Sequence, residues 1–244
     1  MQNTDFQTGV IQPIECVKEG WELIKADFWI LFAITLLGVL IGGATMYVLI
    51  GAMICGIYRV YFRKMDGHAV SIDDLWKGFE YFKPSLLATI IIIVPAVIWM
   101  VVLLATIYTP IILSAIMGSR LSSDELIGIL AGAFIIDVVI AFIMVCFHTL
   151  VMFAFPLIVD RQLSSWDAIK TSARAVMKNL GGVTGLFVVS FVISLAGQML
   201  FCVGVYLAIP LIFATNVVAF RKVFPRLDGG QHFPPPPNAY EGIT

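Results

Sequence analysis

Four long stretches of the chain carry no Asp, Glu, Lys or Arg: residues 28–58 (31 positions), 84–119 (36), 138–159 (22) and 179–220 (42). A helix rises about 1.5 Å per residue, so about 20 apolar residues cross a hydrocarbon core. The 42-residue stretch therefore predicts two spans with a tight turn near residues 197–204. The 31-residue stretch is either one overlong helix or a short hairpin turning at Gly42-Gly43.

Between these stretches the periodicity changes. In residues 71–83, Ile72, Leu75, Trp76, Phe79 and Phe82 fall on one helical face, opposite Asp73, Asp74, Lys77 and Glu80. Ser71 and Asp74 have the spacing of a capping box, and Lys83 closes the segment. Residues 164–178 repeat the device, with Ser164 and Asp167 as the box and Trp166, Ile169, Ala173 and Met177 as the stripe. Lys170, Arg174 and Lys178 are its cations. A third copy opens at Pro13, continues through Ile14, Val17, Trp21 and Ile24, and ends at Lys25. Gly20-Trp21 precedes Lys25 as Gly78-Phe79 precedes Lys83, with Ala173-Arg174 at the looser third place. Any helix lying on a membrane leaflet shows Trp, Lys and an apolar stripe, so these details of spacing are what suggest a repeat. The unit expected is interfacial helix, span, span, taken three times.

Composition agrees with the pattern. Of 244 residues, 60% are hydrophobic and 13% charged, the mean hydropathy is +0.97 and the formal net charge is −1. Soluble domains carry about twice that share of charge, which disfavours a soluble enzyme, a nucleic-acid binder and a disordered chain. The expected class is all-α, a polytopic transmembrane helical bundle. Six spans are expected near 29–43, 45–62, 85–107, 127–158, 181–200 and 204–222, in one membrane domain over residues 1–225. With both termini cytoplasmic, fourteen of the fifteen Lys and Arg lie on or at the inner side and Arg120 alone lies outside. Counting the first stretch as one span would move Lys18 and Lys25 outside. Residues 1–27 carry five acids beside those two lysines and no A-x-A site, which does not describe a cleaved signal peptide. Residues 226–244, with Pro234 to Pro237, are expected to form a flexible cytoplasmic tail.

Candidate chemistry is sparse. Asp137 and His148 are eleven residues apart, about three turns, and so fall near one face about 16 Å apart. Ionisable groups within spans are costly and are functional candidates for that reason; structural hydrogen bonding or a boundary position is the competing account. Asn216 and Gln198 are amides within spans, suited to interhelical hydrogen bonds. The spacings Gly38/Gly42, Gly128/Gly132 and Gly181/Gly185 suggest close helix packing. No nucleotide, hydrolase or zinc motif occurs. Cys16, Cys55, Cys146 and Cys202 are scattered and read as small buried hydrophobes, so no catalytic residue, cofactor or metal ligand is expected.

The pattern from Gly56 to Gly67 (G-x-x-x-x-x-F-R-K-x-x-G) with S-x-x-D-L-W-K-G-F at Ser71 to Phe79 resembles bacterial six-helix membrane proteins. So does Phe153 to Asp160 followed by Asp167 to Ser172. It is also similar to the membrane domain that precedes some glycerophosphoryl diester phosphodiesterases. That resemblance implies a fold and an inner-membrane location, and it carries no catalytic residues into this domain.

Two functions follow as expectations. The first is a non-catalytic scaffold or regulatory subunit contacting membrane lipids or a protein at the cytoplasmic face through Trp21, Lys25, Trp76, Lys77, Lys83, Trp166, Lys170, Arg174 and Lys178. The second is a small-molecule permease with a path between the repeated units, against which the scarcity of charge within the spans counts. The mitochondrial carriers offer a three-repeat precedent, but their P-x-[DE]-x-x-[KR] pattern occurs here once, at Pro13, Glu15 and Lys18, ahead of the first span.

Overall fold

The stretch 28–58 is a hairpin. In the computed structural model, which describes residues 5–117, 122–199 and 203–226, α2 (Phe28–Ala44) turns into α3 (Ile50–Met65) through residues 45–49. The turn comes later than the glycine pair that the sequence suggests. Gly42 and Gly43 stay helical, and Met46 and Tyr47 take the left-handed conformation instead, with φ of 49° and 66°. Thr45 holds that turn, since its Oγ1 donates to Ile41 O at 2.9 Å and accepts from Leu49 N at 3.3 Å. Gly42 has a different task. A Cβ there would lie 2.9 Å from the Cα of Ile50, so glycine lets α3 start hard against α2.

The remaining helices follow in order. The chain begins with α1 (Pro13–Ile24) and a 3₁₀ turn at Lys25–Asp27 that leads into α2. After α3 come the short α4 (Asp73–Trp76), a 3₁₀ turn at Lys77–Tyr81, and α5 (Phe82–Met117). Then follow α6 (Ser123–Leu150), α7 (Ala154–Arg161), α8 (Ser165–Lys178), α9 (Leu180–Met199) and α10 (Val203–Val223). No strand occurs among the described residues. Five helical stretches are long and apolar enough to cross a membrane: Pro13–Ala44, Asp73–Ile116, Ser123–Arg161, Leu180–Met199 and Gly204–Val223. At sixteen residues, about 24 Å, α3 is shorter than a standard hydrocarbon core.

Helix bounds differ from the expected spans in two places. α5 is one helix of 36 residues, reaching ten residues past the expected end at 107 and carrying Pro95 and Pro110 inside it. The expected span 127–158 is broken at residues 151–153, just before Pro156, which has no N–H to continue a helix. Ser172 of α8 bridges the break: its Oγ donates to Leu150 O at 2.8 Å and accepts from Phe153 N at 3.1 Å.

Two compact units emerge. Among the described residues, the first comprises 5–89, 150–199 and 203–226, the second 90–117 and 122–149. The first has a dense aromatic centre. Phe62 of α3, Phe153 beside α7 and Phe220 of α10 are fully buried, with Phe62–Phe220 and Phe153–Phe220 ring centroids 5.4 and 6.0 Å apart. The N-terminal segment is tied to this unit by Asn179, whose Oδ1 accepts from Gly9 N at 2.7 Å and whose Nδ2 donates to Gln7 O at 3.1 Å. In the second unit, apolar side chains such as Ile98, Val101, Ile112, Phe134 and Phe142 are exposed, which suits hydrocarbon rather than water as their surroundings.

Of the two capping boxes read from the sequence, one forms. Ser164 Oγ accepts from Asp167 N at 3.3 Å and donates to Asp167 Oδ2 at 2.7 Å. That bond and the neighbouring Lys170 hold the Asp167 carboxyl below its ordinary range. Ser164→Ala is expected to cost about 1 kcal/mol, read as a lowered unfolding midpoint in detergent. A depressed carboxyl contributes above its unfolded value and loses that contribution as pH falls through the folded one. The gap between Ser164→Ala and parent should therefore narrow in acid. At Ser71 the hydroxyl accepts from Asp73 N instead, because Asp74 turns inward.

Candidate functional site: the charged end of the first unit

The last turns of α3, α7 and α10 carry the charge that the apolar runs lack. Arg63 Nη1 donates to Asp74 Oδ1 at 3.0 Å, and Lys77 Nζ donates to the same oxygen at 2.9 Å. Asp74 is 1% exposed. The stripe expected over residues 71–83 is split: Leu75 is buried, and Asp74, expected on the opposite face, is buried beside it. The acid is buried because a short helix ending in a 3₁₀ turn lies against α3, where Arg63 calls for a counter-charge. Ile72, Trp76 and Phe79 are left exposed.

A second buried cluster joins α7 and α10. Asp160 accepts from Arg161 Nε at 3.1 Å and from Arg221 Nη2 at 2.8 Å. The Arg221 guanidinium lies over the Phe62 ring at 5.0 Å and the Phe220 ring at 5.7 Å, which gives a buried cation favourable faces on two sides. Further pairs close the rim. Lys64 donates to Asp27, Arg226 pairs with Asp66, and Lys222 Nζ donates to Glu19 Oε1 at 2.7 Å. None of these acids and arginines stands out in a sequence read for spans. The signal that could have found them is the recurrence of Phe-Arg-Lys at 62–64 and 220–222.

The residues expected at an inner-face collar lie on the same unit. Trp21, Trp76 and Trp166 are exposed, with Trp21 in ring contact with Phe28 and Trp76 stacked on Phe79. Three of the expected cations are already paired within their own segments: Lys25 with Glu22, Lys77 with Asp74, and Lys170 with Asp167 at 3.4 Å. Lys170 also sits 5.6 Å over the Trp166 ring. Lys83, Arg174 and Lys178 are exposed and form no ion pair among the described residues, and neither does Lys18. So each collar segment presents at least one cation whose charge is not cancelled locally.

The intramembrane candidates are not brought together. His148 Nδ1 bonds Met144 O of its own helix at 2.8 Å, and its ring meets Phe147 edge-on. Asp137 is 7% exposed and faces α5, with Oδ2 lying 2.8 Å from Thr106 Oγ1. Asn216 is half-buried on α10. Gln198 is exposed on α9. No group of three His, Cys, Asp or Glu suited to a metal occurs among the described residues. Arg120, Cys202, His232 and the proline run at 234–237 lie outside the described residues.

Of the glycine spacings, Gly38/Gly42 packs at both positions, against Ile57 and Ile50. Gly181/Gly185 packs only at Gly185, against Pro13, and Gly128/Gly132 faces open space. The tightest approach is elsewhere, where Gly56 and Gly78 cross, and Gly20 lies close against Thr215. Compared with family models, curated proteins and solved structures, the chain matches none.

Proposed function

We propose that this chain is a non-catalytic membrane scaffold whose collar of α1, the α4 segment and α8 binds acidic lipid headgroups at the cytoplasmic leaflet of a bacterial inner membrane. The carrying observation is the set of exposed, unpaired cations Lys18, Lys83, Arg174 and Lys178 beside the exposed Trp21, Trp76 and Trp166. Tryptophan favours the headgroup level, and each cation near an anionic leaflet gains about 1 kcal/mol. In this reading α3 is a sixth, short crossing, both termini lie on the collar side, and the relation to phosphodiesterase membrane domains is one of fold.

The same reading includes a threefold arrangement, supported by three contacts of one kind. α1 meets α10 where Gly20 abuts Thr215, the α4 segment meets α3 where Gly78 abuts Gly56, and α8 meets the α6–α7 junction through Ser172. Each collar segment thus leans on the second span of the preceding repeat. Phe62, Phe153 and Phe220 are fully buried against one another within the first unit, which favours a scaffold over a permease.

The test is lipid retention. Parent protein purified gently from vesicles of mixed phosphatidylglycerol and phosphatidylcholine should retain phosphatidylglycerol in excess, quantified by mass spectrometry. At about 1 kcal/mol per charge, replacing Lys18, Lys83, Arg174 and Lys178 with Gln should weaken that enrichment at least fivefold. An unchanged lipid ratio in the fourfold variant removes the proposal.

A further inference from the structure

Thr106 makes two full hydrogen bonds only if Asp137 supplies one of the hydrogens. Thr106 Oγ1 lies 2.9 Å from the carbonyl oxygen of Leu103 and 2.8 Å from Asp137 Oδ2. A threonine hydroxyl has a single proton, while a backbone carbonyl and an ionised carboxylate can only accept. With Asp137 ionised, a single hydrogen must be shared between the two short oxygen–oxygen contacts. With Asp137 protonated, Oδ2–H donates to Thr106 Oγ1, whose own hydrogen goes to Leu103 O, and both contacts become hydrogen bonds.

The surroundings point the same way. Asp137 Oδ1 is sealed from solvent and has no hydrogen-bond partner. In a carboxylate that oxygen would carry half a charge with nothing to receive it; in a carboxylic acid it is a neutral carbonyl, far less costly to bury. Asp137 sits at the midpoint of the 28-residue α6, about 20 Å from either end. On α6 the other titratable groups are Asp124, Glu125, His148 and the Cys146 thiol; on α5 they are Lys83, at its start, and Tyr108. None of these is bonded to the Asp137 carboxyl, so no cation offsets an ionised form. The flanking Phe134, Ile135, Ile136, Val138 and Val139 are exposed, which places hydrocarbon around the site.

We propose that Asp137 and Thr106 form an intramembrane proton-binding site, with the proton on Asp137 Oδ2 and Thr106 relaying its hydrogen bond to the α5 backbone. A proton is the ligand the oxygen–oxygen contact calls for, because it turns that contact into a hydrogen bond. The site lies in the second unit, away from the collar cations, and does not depend on the lipid-binding proposal.

Infrared spectroscopy of the full-length protein in lipid vesicles at pH 7 tests it. The difference spectrum between parent and Asp137→Asn should show loss of one protonated-carboxyl C=O band, and Thr106→Val should shift that band by removing its acceptor. Loss of a carboxylate band instead overturns the proposal. Should Asp137→Asn fail to fold, parent protein alone suffices. Dicyclohexylcarbodiimide adds a protonated carboxyl across its C=N bond: the carboxyl proton moves to nitrogen, a C–O bond forms, and the adduct rearranges to a stable acylurea. Mass spectrometry should find one added reagent on Asp137. Exclusive modification there by a water-soluble carbodiimide would mean a solvated carboxylate in equilibrium with water, and would refute the site.

Discussion

Asp160→Ala is expected to be the most destabilising single side-chain truncation in the first unit, at about 3–5 kcal/mol. One carboxylate serves two guanidiniums there, and the side chains of Asp160, Arg161 and Arg221 are only 8, 5 and 16% exposed. Arg161 Nη1 and Arg221 Nε already lack partners, so the alanine variant leaves two buried cations facing each other with nothing between them. The pair Lys170–Asp167 provides the contrast. Both side chains are about half exposed, and Lys170→Ala should cost less than about 0.5 kcal/mol. Denaturation in detergent, followed by tryptophan fluorescence, measures both. Replacing Asp160, Arg161 and Arg221 together by Leu should recover most of the loss, because the penalty arises from uncompensated charge rather than from a missing attraction. Equal effects of Asp160→Ala and Lys170→Ala would refute this account of the cluster.

Gly78→Ala and Gly56→Ala should be comparably damaging. A Cβ on Gly78 would lie 2.6 Å from Gly56 N and closer still to Ala52 O, and a Cβ on Gly56 would lie 2.9 Å from Leu75 C and closer still to Leu75 O. These obstacles are backbone atoms on both sides, which cannot rotate aside as a side chain can. Separation of α3 from the α4 segment would also pull Asp74 away from Arg63. A loss of about 3 kcal/mol or more is expected, at the upper end for overpacking. Gly128→Ala meets open space, and alanine is the better helix former, so that variant should be neutral or gain up to about 1 kcal/mol. The two outcomes separate steric crossing from mere helix propensity. Gly78→Ala expressed at parental levels with a parental unfolding midpoint would show that the crossing is not tight.

Much of this was legible in the sequence. The uncharged runs located the long helices, because an apolar segment without charge has one favourable environment whatever its neighbours. The three Trp-bearing segments were legible as helices from their 3.6-residue spacing, and α1 and α8 form essentially where that spacing put them. What each side faces was less legible. The spacing sets Asp74 opposite the apolar stripe, with Asp73, Lys77 and Glu80, and does not show that it is buried while Ile72, Trp76 and Phe79 stay exposed. In a membrane, exposure of tryptophan and phenylalanine costs little, and the residue that must be buried is the one with a charge to neutralise.

Positions of glycines show the same division. The G-x-x-x-G spacing is symmetrical on paper at Gly38/Gly42 and Gly128/Gly132, yet only the first pair meets another helix. Spacing along one helix fixes a smooth face; it does not say whether a partner arrives there. Gly20 meets Thr215, and Gly56 and Gly78 meet each other; no local pattern links them.

The sequence by itself determined the positions of the long apolar helices and the concentration of its few charges between them, since each follows from transfer energies of residues taken locally. Tertiary structure alone decided the pairings: Asp160 with two arginines, Asp74 with Arg63, and Asp137 with one threonine hydroxyl. A buried charge or hydroxyl is satisfied by whichever group lies within about 3 Å of it, and that distance is set by how helices cross, which no one-dimensional pattern records.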